Sequence, residues 1–576
     1  MLIQLNRPTM HTTLTPKQIV LELAALLLVL LALALPRGLE IARFATPDEQ
    51  FWLYRSANFY YALSHGDYAA TYQKEHPGVT VMWAGALGFL LRYPEYKDNP
   101  EGLVNTDEFH AFMASDTVPV SPLELLREGR LVMAAVQVAV LALCYIYARR
   151  LFGLLPAFVG MMLVAFDPFY LGLTRLLHLD GLMTSFVLLA LLAYLIYLAD
   201  RHIADLLISG VAAGLGWLTK SPAFILAPVL GLLAFWQPWL LWRKGELSLK
   251  VVWQSLWPLL AWTVTGAATF FALWPAMWAI PLQALAKIFG MAQVYAESGH
   301  ASAVFFNGQA IPDGNLGLPY FYFYPLTYLW RATPIALLGL LPAAWGYITR
   351  RKPFEQERAR LAVAGLVLLV VVFTLVMTLG EKKFDRYLLP VYPALDLIAG
   401  LGWYALAAWL WDRKPANPRR HDLARVSAVV VILLAVGLQA ASALGTYPYY
   451  LSYYNPLMGG SRVAPQVMQI GWGEGLDEAA RYLNRKPDAG NLRVMSWYAT
   501  GPFSYYFNGN DRSFWYTPDA NPIQWERFIT ADYAVVYITQ WQRQLPKVVL
   551  DYLVGLTPEH SIWIDGIEYV RIYKLP

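Results

Sequence analysis

Four stretches gather acids and cations at the ends of long apolar runs: Asp48-Glu49, Arg175-Leu176-Leu177-His178-Leu179-Asp180, Lys220, and Glu381-Lys382-Lys383-Phe384-Asp385-Arg386-Tyr387. The chemistry open to such a set is anion binding by the cations and proton transfer by a positioned carboxylate. Charges inside an apolar span cost roughly 2.5–3.5 kcal/mol each, so they tend to be paired or functional. Arg175 and Asp180 can form a purely structural ion pair. Lys220, in a break between Thr219 and Ser221, can snorkel outward. Lys382, Lys383 and Arg386 either flank the following span or hold an anionic ligand at that depth. Asp48-Glu49 is different: Thr46-Pro47 ends a helix before it and an aromatic run follows, so the carboxylates are held at the mouth of an apolar bundle. Two outer segments add His76, in the turn Glu75-His76-Pro77-Gly78, and His300, Asn307 and Asp313, in a loop spanning about residues 275–325.

The elements that must position these residues follow from composition. Of 576 residues, 57% are hydrophobic and 15% charged, against about 45–50% and 25% in a soluble domain. A watery surface cannot hide that much apolar side chain, and the chain reads as an integral membrane protein. Disorder, collagen and a disulfide scaffold are excluded. Cys144, the single cysteine, reads as a small buried hydrophobe. A net charge of +4, from 44 basic and 40 acidic residues, is too balanced for a nucleic-acid partner. The 22 Trp and 36 Tyr suit rings settled at membrane–water interfaces.

A bilayer core of about 30 Å needs roughly 20 apolar residues of helix. About eleven runs qualify, near residues 19–36, 130–148, 154–173, 181–199, 204–219, 222–242, 251–274, 326–348, 361–379, 388–411 and 426–445. The first is too long for a signal-peptide core and is read as an uncleaved span. Basic residues set orientation. Arg7 and Lys17, Arg149-Arg150, Arg201, Arg243-Lys244, Arg350-Arg351-Lys352 and Arg413-Lys414-Arg419-Arg420 fall on one side, read as the cytoplasm. The opposite segment 37–128 carries thirteen carboxylates against seven Lys and Arg. The expectation is a multi-pass protein of the inner (plasma) membrane with a cytoplasmic N-terminus and the tail outside. The basic cluster at 382–386 runs against this rule, and an anionic ligand there supplies a reason.

Within the outer loop 37–128, residues 51–61 read as an aromatic amphipathic helix on the membrane and 79–91 as a second. Residues 1–445 are expected to form the transmembrane domain and 446–576 an extracytoplasmic α/β domain. In that tail, strands are expected near 492–498, 533–539 and 568–573, and helices near 476–484 and 541–554. Gly471-Trp472-Gly473-Glu474-Gly475 resembles a phosphate-cradling turn but reads better as a glycine-rich helix start. No internal repeat is apparent, which argues against a transporter built from inverted halves.

In order along the chain, Asp48-Glu49 in the first outer loop, His76-Pro77-Gly78 between two surface helices, and Arg175 to Asp180 opening the fourth span resemble the pattern of the protein O-mannosyltransferases. Tyr387-Leu388-Leu389-Pro390-Val391-Tyr392-Pro393 is similar to the matching stretch of their bacterial relatives, among them the lipid A aminoarabinose transferases. These are GT-C glycosyltransferases, and the resemblance covers roughly residues 15–445. It implies an enzyme that takes a sugar from a polyprenyl-phosphate carrier on the extracytoplasmic side, with inversion, and the eleven apolar runs would be its transmembrane helices. Gly78 stands where the eukaryotic enzymes have a second proline, their MIR domain is missing, and the aminoarabinose enzymes have more spans. Neither a protein acceptor nor lipid A is therefore implied.

In such an enzyme a monophosphate leaves the anomeric carbon while an acceptor hydroxyl attacks. On this resemblance Asp48 takes the hydroxyl's proton, and Glu49 orients the loop or binds acceptor. Lys382, Lys383, Arg386 and Arg175 meet the phosphate, with His76 and Lys220 less directly placed. Asp180 and His300 complete the substrate-binding set. Repulsion and desolvation are expected to raise the Asp48 pKa. A monophosphate has little need of a divalent metal and Asp48-Glu49 supply too few ligands for one, so no metal or cofactor is expected. The expected partners are a polyprenyl-phosphate-linked sugar, an extracytoplasmic acceptor and the bilayer. A transporter or flippase of a lipid-linked sugar is the alternative, but it leaves the structured outer loop and the tail without a role. A scaffold for envelope assembly would leave Asp48-Glu49 unused.

Overall fold

The computed structural model describes residues 15–115, 117–297, 300, 302–413, 418–514 and 522–576; Arg7 and Lys414, used above for orientation, lie outside them. In a bilayer the backbone must satisfy its own hydrogen bonds, so uninterrupted apolar runs become helices. Among the described residues, eight helices are long and apolar enough to cross a membrane: Pro16–Gly38, Pro122–Phe152, Leu179–Asp200, Ser221–Arg243, Leu249–Leu273, Glu357–Leu379, Val391–Trp411 and Arg419–Leu444. The chain is a multi-pass helical membrane protein.

The other three expected spans take shorter forms. Ile203–Thr219 is a helix of 17 residues. The run 154–173 divides into Leu154–Ala165 and Pro168–Leu173, and the run 326–348 into Phe323–Arg331 and Pro334–Ile348. Each division falls at a proline, which lacks the N–H a continuous helix needs but suits a first helical position. The residue before each proline caps the new start: Asp167 accepts from the Tyr170 N–H at 2.6 Å and Thr333 from the Ala336 N–H at 3.0 Å.

Leu179–Asp200 is apolar all round and must be enclosed. Of its apolar window 89% is buried, against 28% for Pro16–Gly38. It packs on Pro122–Phe152, Ile203–Thr219 and Glu357–Leu379. The outer-loop helices appear as Glu49–Ser64 and Val79–Arg92. The first buries ten of its 16 residues, more than one face of a surface helix, because it is clamped against Val79–Arg92, which itself packs on Pro122–Phe152.

After the last membrane helix the chain first returns to the bundle. The Tyr450 hydroxyl donates to Pro36 O at 3.3 Å, and the Asn455 N–H donates to Trp330 O at 2.8 Å. A hairpin of β1 (Val304–Phe306) and β2 (Gln309–Ile311) turns at Asn307-Gly308, both at positive φ, as a tight right-twisted hairpin demands. It leans on the tail through the Asn307 N–H to Val467 O, at 2.7 Å. The tail then forms a five-stranded sheet of β3 (Arg493–Ser496), β4 (Asn510–Ser513), β5 (Tyr533–Tyr537), β6 (His560–Ile564) and β7 (Ile567–Lys574), in the order β4-β3-β5-β7-β6. β3 runs parallel to β4 and β5, and β7 antiparallel to β5 and β6. Helix Leu476–Leu483 falls where the sequence puts it. The expected helix near 541–554 is instead Ile538–Arg543 and Lys547–Leu553, divided at Pro546.

Candidate active site

Asp48 and Glu49 stand at a helix start, and adjacent residues there point in different directions. Glu49 turns into the protein and is fully buried. Arg130 Nε donates to its Oε1 at 2.6 Å, the Leu177 N–H to the same oxygen at 2.8 Å, and the Thr46 N–H to Oε2 at 2.9 Å. Burial opposes its charge, but Arg130 outweighs this and holds the carboxyl below its usual range. Glu49 thus ties three elements together and fixes the loop; the structure does not bring it to the place where Asp48 points.

Asp48 keeps 35% of its side chain exposed on the wall of a cavity of about 570 Å³. Its Oδ2 lies 3.3 Å from His178 Nε2 and 3.3 Å from Arg386 Nη2. The Asp180 N–H donates to His178 Nδ1 at 3.4 Å, which turns Nε2 toward Asp48. Asp180 also pairs with Lys220, Nζ to Oδ1 at 2.6 Å, and lies 3.4 Å from Arg386 Nε. Local folding explains each placement. His178 is the N-cap of Leu179–Asp200, Lys220 ends Ile203–Thr219 before Pro222, and Arg386 sits in the short turn Asp385–Leu388 that precedes Val391–Trp411.

Burial alone would raise the Asp48 pKa, but the hydrogen bond from His178 and the charges of Arg386 and Lys220 prevail and hold it at about 2. The expected rise is overturned. Glu49 faces elsewhere and is neutralised by Arg130, and Asp180 is paired with Lys220, so the cations around Asp48 outweigh repulsion between carboxylates.

Lys382 belongs to the same cluster, since burial, then Arg386 and Lys220, lower its pKa. Three cations (Lys220, Lys382, Arg386) face two carboxylates (Asp48, Asp180), a local surplus that an anion would neutralise. His76 Nδ1 is 3.3 Å from Ser221 Oγ. Burial and the nearby Lys220 lower His76 to about 3, so it serves as a neutral hydrogen-bonding group. Gly78 makes its approach possible: at φ +58, with the Trp52 ring 2.1 Å from where a Cβ would stand, no side chain fits.

Two expected ligands are elsewhere. Lys383 is fully buried with its ammonium on Leu316 O and Gly380 O, whereas Lys382 lies within electrostatic reach of Arg386, Lys220 and Asp48. Arg175 donates to Leu39 O and stacks on Tyr450 at 5.3 Å. It makes no pair with Asp180, because the turn at 174–178 sends the two side chains in different directions. His300 lines the cavity with its Nε2 3.0 Å from Lys383 O, and burial lowers it to about 4.

Two residues were not singled out from the sequence. His178 stands inside the quoted 175–180 stretch, and its place before a helix start was the available signal. Trp472 comes from the tail: the Arg386 guanidinium lies 4.4 Å over its ring and His178 meets the ring edge-on at 4.9 Å. Its neighbour Gly473, at φ +112, would bring a Cβ within 2.2 Å of Ala45 O. The tail's glycine-rich loop therefore rests directly on the segment that carries Asp48. Among the described residues no group of three or more His, Cys, Asp or Glu is arranged to hold a metal.

Residues 125–275 match the sequence profile of the dolichyl-phosphate-mannose-protein mannosyltransferase family. The matched stretch contains Arg130, His178, Asp180 and Lys220. The match covers about a quarter of the chain and is a likeness to that family over this stretch. No curated protein sequence matches. Among solved structures the chain is similar to ArnT from Cupriavidus metallidurans bound to undecaprenyl phosphate, at 15% identity and TM-score 0.44 over 97% of this chain and 98% of that one. It is similar to the oligosaccharyltransferase AglB from Archaeoglobus fulgidus in complex with an inhibitory peptide and a dolichol-phosphate, at 13% identity and TM-score 0.47 over 92% and 70%. It is also similar to the Pmt1-Pmt2 complex of S. cerevisiae bound to the sugar donor, at 17% identity and TM-score 0.35 over 48% and 35%.

Proposed function

We propose that this chain transfers a sugar from a polyprenyl-phosphate carrier to an acceptor hydroxyl on the extracytoplasmic side, with inversion. Asp48 is the general base, and Lys220, Lys382 and Arg386 receive the carrier phosphate. The observation that supports this most directly is the division of labour within one carboxylate. Both His178 and Arg386 bear on Oδ2, while among the described residues Oδ1 takes no hydrogen bond and Asp48 lines a cavity. One oxygen is held and the other is available.

In the reaction the acceptor oxygen attacks the anomeric carbon as the bond from that carbon to the phosphate oxygen breaks. The electron pair leaves with the phosphate, where cations stabilise it, and the hydroxyl proton passes to Asp48. In the free protein the cations keep Asp48 ionised. An arriving phosphate takes up part of their charge, which raises the Asp48 pKa and makes it a stronger base when the donor is bound.

Purified protein supplied with a radiolabelled polyprenyl-phosphate sugar and candidate acceptors tests the reading. Release of polyprenyl phosphate with label on the acceptor is expected; label that crosses the membrane still attached to its carrier would replace the enzyme by a flippase.

A further inference from the structure

Part of the cavity wall comes from the tail and from the segment before β1: His300, Ser302, Tyr498 and Arg543. Arg543 is 7% exposed. It donates from Nη2 to the neutral Ser302 Oγ, and its Nε has no partner among the described residues. Arg130 meets Glu49, Arg331 meets Asp385 and Arg386 meets Asp48. Arg37 and Arg175, like Arg543, are buried without a paired carboxylate among the described residues, but of these three only Arg543 lines the cavity. Burial lowers the Arg543 pKa, and among the described residues no carboxylate offsets this; Tyr498, kept neutral by its own burial, lies within electrostatic reach. A desolvated guanidinium without a counter-charge is costly, and its planar fork suits two oxygens of one anion. Tyr498 lies within electrostatic reach of both Asp48 and Arg543, and His300 of both Arg386 and Arg543, so the cation stands close to the candidate base.

We propose that Arg543 and Ser302 form a subsite for an oxyanion carried by the acceptor, a phosphate monoester or a carboxylate. This rests on the reading of the cavity as the acceptor's. An anionic group held there anchors the acceptor by a point other than its reacting hydroxyl, and the choice of acceptor passes to the tail. The substrate class is then an acidic saccharide or an acidic lipid headgroup.

The test uses the full chain in nanodiscs with polyprenyl phosphate present to occupy the donor cations, and glucose 6-phosphate, glucuronate and glucose as probes. Affinity for the two anionic probes should exceed that for glucose, and Arg543→Gln should weaken it by at least about tenfold, as loss of a charged hydrogen bond does, while Arg543→Lys retains part. The stronger of the two anionic probes separates phosphate from carboxylate. Polyprenyl phosphate affinity, measured separately, reports the fold of each variant and the donor reading. Equal affinity for glucose and the anions, or anion binding that survives Arg543→Gln, overturns the subsite. Loss of polyprenyl phosphate binding by the unmodified chain would instead overturn the donor reading and leave the Arg543 result standing.

Discussion

At Asp48 one oxygen is anchored and the other is open, and the consequences can be read in rate. Asp48→Asn keeps shape but removes the proton acceptor, so turnover should fall by at least about 10²-fold, the lower range for general-base help, with donor affinity preserved in equilibrium binding. The pH dependence has a definite sign. Asp48 acts when ionised, and with its pKa at about 2 the free protein shows no loss from this group near neutrality. Donor phosphate raises that pKa, so the acid limb of kcat should lie at higher pH than that of kcat/KM, the two profiles reporting the bound and free forms. Coincident limbs would remove the electrostatic link. Glu49→Gln should behave otherwise: it leaves Arg130 buried without its partner, a change that costs about 3–5 kcal/mol, visible as a lowered unfolding midpoint. In the basic run, Lys382→Gln should weaken donor binding and Lys383→Gln should not, since only the first faces the cluster. The sequence marked the acid pair and the basic run as candidates, because charge beside apolar spans is conspicuous. It could not show which of two adjacent side chains turns inward, since that depends on Arg130 and Leu177, 81 and 128 residues away.

Elements were legible where one rule governs them. Long apolar runs became helices, although Pro122–Phe152 and Arg419–Leu444 begin eight and seven residues before the runs expected at 130–148 and 426–445. Runs interrupted by Asp167-Pro168 and Thr333-Pro334 were read as single spans, because hydropathy hides a cap and a proline that together restart a helix. In the tail, β3, β5 and β7 lie within or close to the strands read near 492–498, 533–539 and 568–573. β4, with the sequence Asn510-Asp511-Arg512-Ser513, has no apolar pattern and exists because β3 offers it an edge. The glycine loop carries its own prediction. Gly473→Ala meets both a positive φ, worth about 1–3 kcal/mol, and the Ala45 carbonyl, so the loop must move and take residues 45–48 with it. Turnover should drop more than the unfolding midpoint does; a midpoint change with full activity would show that the loop does not position Asp48.

For the whole molecule, the proposed orientation places the cavity and the tail outside the cell. A reporter joined after Pro576 should be active only in the extracytoplasmic space, and cytoplasmic activity would put Asp48 in the wrong compartment for a donor presented outside. The division expected at residue 445 does not coincide with a gap in packing, since Tyr450 and Asn455 are bonded to the membrane helices.

The meeting of Gly473 with Ala45 also bears on how such a chain can change over generations. A tail exchanged between distant relatives would arrive with a loop shaped for another host's backbone, and the misfit would fall two or three residues from Asp48. Exchange of the tail at the end of the last membrane helix should therefore cost function unless the strip around residues 42–50 travels with it, although more than 400 residues separate the two.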